Sequence, residues 1–345
     1  MSKAETVVPL HAQGKEIPPD QSWSIRAFRP GDGDGIVRTV LLVYGDKYPV
    51  ADFYAPQRLS ALNEQGDMIT IVAVTERGDV VGHASLWRTS AQNPHLYEFG
   101  QMIVLPAYRK RTIAMCLTEK AVECMNENDA VHAVFAECVT NHVTTQRLVT
   151  MLGVRPCALE LGLMPDGQFA AEGAGVERVS CLVVAAVLRD NRRPLHLPTR
   201  DRALFVSIVS SVGIDREVTF SHGEEPDVVH CAMEVQDFGS AGVARCHVAS
   251  VGADIASRMD EVVRRGYTLV EVFINAGTAT SPWAVEQLRR SGFFVAGLVP
   301  QWFGADAILM LRLTIAIDTD SINVWSDDGK KLANAVIDRY RRSFL

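Results

Sequence analysis

The stretch from Glu98 to Ala114 constrains this chain most: Glu98-Phe99-Gly100-Gln101-Met102-Ile103-Val104-Leu105-Pro106-Ala107-Tyr108-Arg109-Lys110-Arg111-Thr112-Ile113-Ala114. An apolar strand ends at a proline. A short loop with three successive cations follows. A helix with apolar Ile113, Met115, Cys116, Leu117 and Val122 comes next. A strand–loop–helix junction of this kind presents free backbone N–H groups and the positive end of a helix dipole, which suits an anion such as a diphosphate. A basic helix start with solvated charges is the plainer alternative, and the loop by itself leaves both open.

Strands and helices alternate on either side of this stretch. Trp23 to Phe28 reads as a strand, and Ile36 to Tyr44 as a helix. Met68 to Val74 and Val80 to Trp87 form a hairpin across Glu76-Arg77-Gly78-Asp79. Val131 to Val139 and Val179 to Leu188 are strands, and Thr145 to Leu152 is a helix stopped by Gly153. Arg189 to Arg200 holds two prolines and four arginines, which places a boundary there. The grammar then repeats. Helices are expected over Gly252 to Arg265 and Trp283 to Arg290, and strands over Tyr267 to Ile274, from Gly292, and over Ile308 to Ile315. Ser326 caps a terminal helix. Gly153-Val154 and Gly292-Phe293 end matching helices and start strands, a faint internal repeat.

The expected organisation is α+β (α/β). A flexible arm occupies 1–22, a first domain 23–190, a linker 191–200 and a second domain 201–345. A length of 345 residues suits two domains. The net charge of −7 argues against a nucleic-acid partner. The longest apolar run, Cys181 to Leu188, is too short to span a membrane and reads as a buried strand. The seven cysteines are scattered without zinc-site spacing, so no metal is expected. They read as reduced thiols of a cytoplasmic protein.

The central stretch resembles the acetyl-CoA loop of the GNAT acetyltransferases, V-x-P-x-x-R-x-x-G-x-G/A, through Val104, Pro106, Arg109 and Ala114, with Thr112 in place of the first glycine. Thr140-Asn141-His142, a helix and Gly153-Val154 resemble the family's N-x(n)-G-F ending. One subfamily of two-domain GNAT proteins, sometimes fused to anti-sigma-factor kinase domains, is similar at more positions. The matching segments are Tyr44-Gly45-Asp46-Lys47-Tyr48, Gly82-His83-Ala84-Ser85-Leu86, Glu98-Phe99-Gly100-Gln101, Val139-Thr140-Asn141-His142-Val143-Thr144-Thr145-Gln146 and Arg178-Val179-Ser180. No kinase segment is visible here. The resemblance implies a GNAT fold, a mostly antiparallel mixed sheet flanked by helices, followed by a degenerate GNAT-like second domain that walls the acceptor cleft.

The resemblance further implies acetyl-CoA, or another acyl-CoA, as co-substrate. Met102, Ile103 and Val104 would offer backbone to pantetheine. Arg109, Lys110, Arg111, Thr112, Ile113 and Ala114 would wrap the diphosphate, with the Thr112 side chain crowding the loop. Asn141 would contact pantetheine. The partner would be a small-molecule amine or amino-acid-like acceptor. Its nitrogen must first lose a proton, since an alkylammonium has a pKa near ~10. Glu98 is the leading base, against an exposed strand-end carboxylate. Glu137 competes for the role, against a buried structural ion pair. His142 is a proton relay or a loop histidine. His83 reads as a satisfied core or cleft residue, and Cys138 as a buried small residue rather than a nucleophile. Val149 stands where many relatives carry a tyrosine acid. Two other functions remain open: an acyl-CoA sensor without turnover, and a decarboxylase of malonyl-type thioesters through His142 and Thr144. A homodimer is compatible with all of these.

Overall fold

Helix α1 (Gly33–Tyr44) shows why the first unit folds as it does. Its buried residues Ile36, Val37 and Val40 fall on one stripe at helical spacing. In the computed structural model this stripe packs with Phe53, with Leu59 and Leu62 of α2 (Pro56–Gln65), and with Met68, Val72 and Val74 of β2 (Met68–Thr75). Residues 17–19, 21–46, 48, 50–89, 91–109, 112–165 and 178–343 are described. Among them are eight α-helices and fourteen strands. No helix among them is long and apolar enough to cross a membrane.

The chain divides into two compact units, residues 1–89 with 97–129, and residues 90–96 with 130–345. The first holds the antiparallel strands β1 (Trp23–Ala27), β2, β3 (Val80–Trp87) and β4 (Leu96–Val104), paired in that order. The β2–β3 hairpin closes where expected, with Gly78 at φ +86° and Thr75 N–H donating to Asp79 O at 2.9 Å. Helix α3 (Ile113–Glu127) buries Ile113, Leu117, Ala121 and Met125, a stripe at i, i+4, i+8 and i+12.

The second unit begins with β5 (Ala133–Val139), α4 (Thr144–Val149), β6 (Arg155–Pro165) and β7 (Arg178–Val187). The pair β8 (Arg193–Pro198) and β9 (Arg216–Ser221) flanks α5 (Arg202–Val212). Then come β10 (Ala232–Phe238), β11 (Val243–Ser250), α6 (Ile255–Val263), β12 (Leu269–Asn275), α7 (Ser281–Arg290), β13 (Phe294–Val299), β14 (Ala307–Leu313) and α8 (Asp327–Ser343). The main sheet runs β5-β7-β6-β13-β14-β12-β11-β10. Its first six strands read as a mirror: β5-β7-β6 is answered by β13-β14-β12. Each half carries a strand, a helix and an antiparallel strand pair in the same chain order. Gly153 and Gly292 close the matching helices α4 and α7 with φ of +72° and +80°, a conformation that Cβ disfavours.

Residues 191–200, expected as a linker, contain β8, which pairs in parallel with β9. Pro194 and Pro198 fit because a two-stranded sheet consists only of edges. Arg216 of β9 fastens this sheet: its Nε donates to Asp306 at 2.6 Å and its Nη1 to Asp190 at 2.7 Å. Strand β6 opens just past Gly153-Val154, where a strand start was expected, and runs to Pro165. Pro156 and Gly162 interrupt its pattern, and both fall at shifts in its register with β7. At the terminal helix, Ser326 caps as expected, its Oγ accepting from Gly329 N–H at 3.1 Å.

Candidate functional site

In the first unit the site starts from an irregularity in β4. Trp87 opposes Glu98, Leu86 opposes Phe99 and Ser85 opposes Gly100, but His83 opposes Ile103. Three steps of β4 thus match two of β3, and Gln101 takes up the excess at φ +50°. A bulge removes backbone groups from the ladder and leaves them available to something other than a neighbouring strand. Sequence reasoning placed Met102, Ile103 and Val104 here but missed the bulge. Its signal was Gly100-Gln101 inside an apolar run.

Glu98 shares a face with Trp87, because directly opposed residues of an antiparallel pair project the same way. Its carboxylate folds back over Gly100, with Oε1 3.1 Å from where a Cβ on that residue would stand. The side chain is half-buried rather than fully exposed. Phe53 joins this face, stacked on His83 (5.6 Å) and edge-on to Trp87 (6.2 Å), and Tyr48 packs edge-on to Phe53 at 5.8 Å. Burial first, then the Tyr44 and Glu98 charges, push the Tyr48 phenol well above its usual range, so Tyr48 stays protonated. His83 is fully buried, and neither ring nitrogen has a hydrogen-bond partner among the described residues. Burial lowers its pKa to about 3 and keeps the ring neutral. It is a core histidine as expected, but an unsatisfied one.

Beyond Val104 the chain turns through Pro106–Tyr108 into α3. Tyr108 is buried and donates its hydroxyl hydrogen to Pro18 O at 2.6 Å. Arg109 Nε donates to Val104 O at 3.1 Å, tying the guanidinium to the end of its own strand. Pro106, Ala107, Arg109 and Thr112 are exposed. Thr112 precedes the helix with φ −76° and ψ 12°, a conformation open to any residue, so the backbone here does not require the family's glycine. Ile113 and Ala114 lie in the first turn of α3, where N–H groups lack an intrahelical acceptor. Lys110 and Arg111 lie outside the described residues.

The second unit holds the other expected residues. Asn141 and His142 follow β5, where Thr140 N and Oγ1 both donate to Ser180 O at 2.9 Å. The Asn141 Oδ1 atom is buried and has no partner among the described residues. Cys138 is buried, and burial with the nearby Glu137 charge raises its thiol to about 12, so it is no nucleophile at neutral pH. Val149 is buried in the core.

Glu137 accepts from Arg245 Nη2 at 3.0 Å, the ion-pair alternative for this residue. The same nitrogen donates to Glu160 at 3.1 Å, and Arg245 Nε donates to Glu271 at 2.7 Å. One guanidinium therefore serves three carboxyl groups. Burial, then the Glu137 and Glu271 charges, push Glu160 well up. Burial also raises Glu271 against the pull of Arg245. The Arg245 guanidinium lies 5.4 Å from the Phe273 ring and 5.9 Å from that of Trp302, and Trp302 Nε1 donates to His247 Nδ1 at 3.0 Å. Sequence reasoning missed this cluster. The signal was a lone arginine inside the apolar run of β11.

The β11–α6 junction occupies the same place in the second half as β4–α3 in the first, and its chemistry is the opposite. Gly252 N–H donates to Cys231 Sγ at 3.1 Å, Ala253 N–H to Val228 O at 3.0 Å and Asp254 N–H to Val229 O at 2.9 Å. The Asp254 carboxylate accepts from Cys231 N at 2.8 Å and lies 3.0 Å from His230 Nδ1. A Cβ on Gly252 would overlap the His230–Cys231 backbone. The donors an anion would use are already spent on segment 228–231.

Residues 38–154 match the family described as the Acetyltransferase (GNAT) family. The chain is similar to a ribosomal-protein-S5-alanine acetyltransferase from Vibrio fischeri (13% identity, 49% of this chain and 94% of that one, TM-score 0.39). It is also similar to a phosphinothricin acetyltransferase from Sinorhizobium meliloti in complex with acetyl-CoA (18%, 48% and 89%, 0.39). A third is a putative acetyltransferase from Salmonella typhimurium with its cofactor acetyl-CoA (16%, 49% and 96%, 0.37). No curated protein matches the chain. Over residues 38–154, then, this protein is similar to the GNAT acetyltransferases.

Proposed function

We propose that the chain is an N-acyltransferase that moves an acetyl group from acetyl-CoA directly to an amine of a small molecule. One contrast carries this reading. The β4–α3 junction keeps exposed Arg109 and Thr112 beside a helix N-terminus, whereas the equivalent β11–α6 junction is stitched shut by its own chain. An open helix start with a cation is a diphosphate site; a stitched one is not. The donors present fit the group: ordinary backbone at Thr112, the first turn of α3 and the bulge at Gln101.

Chemically, Glu98 takes a proton from the acceptor ammonium through water, and the freed lone pair attacks the thioester carbonyl. The carbon–sulfur bond breaks, and the thiolate takes a proton from solvent, since Val149 offers none. Backbone N–H groups around the bulge stabilise the carbonyl oxygen as charge develops. Asn141 serves pantetheine by the family resemblance, and His142 relays protons. Glu137, held by Arg245, is a structural carboxylate rather than the base. We read residues 201–345 as a degenerate copy of the first domain. The mirrored strand order and the paired glycines Gly153 and Gly292 support this.

Calorimetry with acetyl-CoA and free-thiol release across an amine panel test the reading. Binding with thiol release supports it. A second reading, an acyl-CoA sensor, is favoured by the buried valine at position 149, and binding without turnover on any amine selects it. No binding sinks both.

A further inference from the structure

Gln146 belongs to the motif Val139 to Gln146, yet the proposed chemistry gives it no task. It is 4% exposed, on the inner side of α4. Its Nε2 faces three carbonyl oxygens: Val139 at 3.2 Å, His142 at 3.3 Å and Asn323 at 2.8 Å. Its Oε1 accepts from Trp325 N–H at 2.9 Å. An amide nitrogen has two hydrogens, so they are shared among these acceptors and no capacity is left over.

Asn323 completes the arrangement from the far end of the chain, 177 positions away. Its backbone N–H donates to Thr140 O at 2.7 Å, and its Nδ2 reaches Asn141 O at 3.4 Å. Each backbone carbonyl from Val139 to His142 therefore accepts from Gln146 or Asn323. Arg147 lies over the Trp325 ring at 4.5 Å, and the Ser326 cap of α8 follows at once, so the strap is anchored on both sides. Within a turn tied this completely, Asn141 Oδ1 is a buried acceptor with no partner among the described residues. Such an atom costs free energy unless a donor arrives from elsewhere.

We infer that Gln146 and Asn323 are positioning residues: together with the strap Ser321–Ser326 they fix the turn so that the Asn141 amide oxygen meets a pantetheine N–H. The inference rests on the acetyl-CoA reading above. Its consequence is that a segment outside the matched residues 38–154 tunes acetyl-CoA affinity through Asn141.

The full chain tests it. Gln146→Leu and Gln146→Glu remove the donors. Asn323→Ala removes the long Nδ2 contact to Asn141 O and the 3.0 Å one to Ser321 O, and leaves the backbone bonds of residue 323 in place. Val336→Ala opens a cavity in the buried face of α8, away from the turn, and serves as a control of comparable thermal destabilisation. Acetyl-CoA Kd comes from calorimetry, the KM and kcat split from thiol release, and local order from amide exchange over 139–146. Both Gln146 variants are expected to weaken acetyl-CoA about tenfold or more, with KM moving more than kcat and with lost protection over 139–146. Asn323→Ala is expected to show a smaller change of the same kind, and Val336→Ala wild-type affinity. If the Gln146 variants bind no more weakly than Val336→Ala, the positioning role is overturned and the proposed function stands. Wild-type protein that binds no acetyl-CoA overturns the proposed function and the inference together.

Discussion

Arg245 of β11 and Glu271 of β12 are direct partners in a parallel strand pair, joined Nε to Oε2 at 2.7 Å with side chains 6% and 0% exposed. Glu137 and Glu160 complete the charge around the same guanidinium. Removing a buried charge's partner costs more than the pair contributes, because the remaining charge stays desolvated. Arg245→Met is therefore expected to lower unfolding free energy by about 3–5 kcal/mol. Urea denaturation measures it. Adding Glu271→Gln to that variant should recover part of the loss. No recovery would mean that packing, not charge, makes Arg245 necessary.

The raised carboxyls give stability a pH dependence. The folded pKa of Glu160 lies above its unfolded value, so the folded chain keeps a proton that the unfolded chain releases. The associated stability is fully present below the unfolded pKa and is lost as pH rises from the usual carboxylate range through the raised folded value. Glu271 acts in the same sense. One such proton contributes a slope of up to about 1.4 kcal/mol per pH unit. Urea midpoints across that window should fall with pH in the wild type and flatten in the Glu160→Gln/Glu271→Gln double variant.

Glu98→Gln keeps shape over Gly100 but cannot take a proton. Its kcat is expected to fall about 10²–10⁴-fold. Acetyl-CoA Kd should stay within about twofold, since a tenfold change would need 1.4 kcal/mol of lost contact. The acid limb of the pH–rate profile should vanish with it. An unchanged profile assigns the base elsewhere, with His142 first in line.

The stitched junction predicts a stoichiometry. Calorimetry should give one acetyl-CoA per chain, since the donors at Gly252, Ala253 and Asp254 are taken. Gly252→Ala forces a methyl into the His230–Cys231 backbone and should cost about 1–3 kcal/mol of stability. Two equivalents in the wild type would contradict the contrast between the junctions.

Much of this was legible in the sequence because it depends on local pattern. The Gly78 hairpin, the Ser326 cap and the strand–proline–helix junction are written within a dozen residues each, whereas the buried stripe of α3 takes Ala121 and Met125 and leaves Met115 exposed. The bulge at Gln101 was not, because register depends on the partner strand. Arg245 and Asn323 were not, because their partners lie 108 and 177 positions away. The Thr112 side chain was expected to crowd the loop, yet it is exposed at the start of α3, and the backbone there gives no reason for a glycine. Its φ of −76° is open to any residue.

Gly297 of β13 lies against Ala158 of β6 so closely that a Cβ would overlap the Cys157 carbonyl and Ala158 itself. A bare strand margin invites another chain to add on, the usual first step toward aggregates. Here one hydrogen atom where a side chain would be lets β6 and β13 close over each other's margin. Solubility at that line thus depends on the smallest residue in the strand, and any larger one would hand the margin back to passing chains.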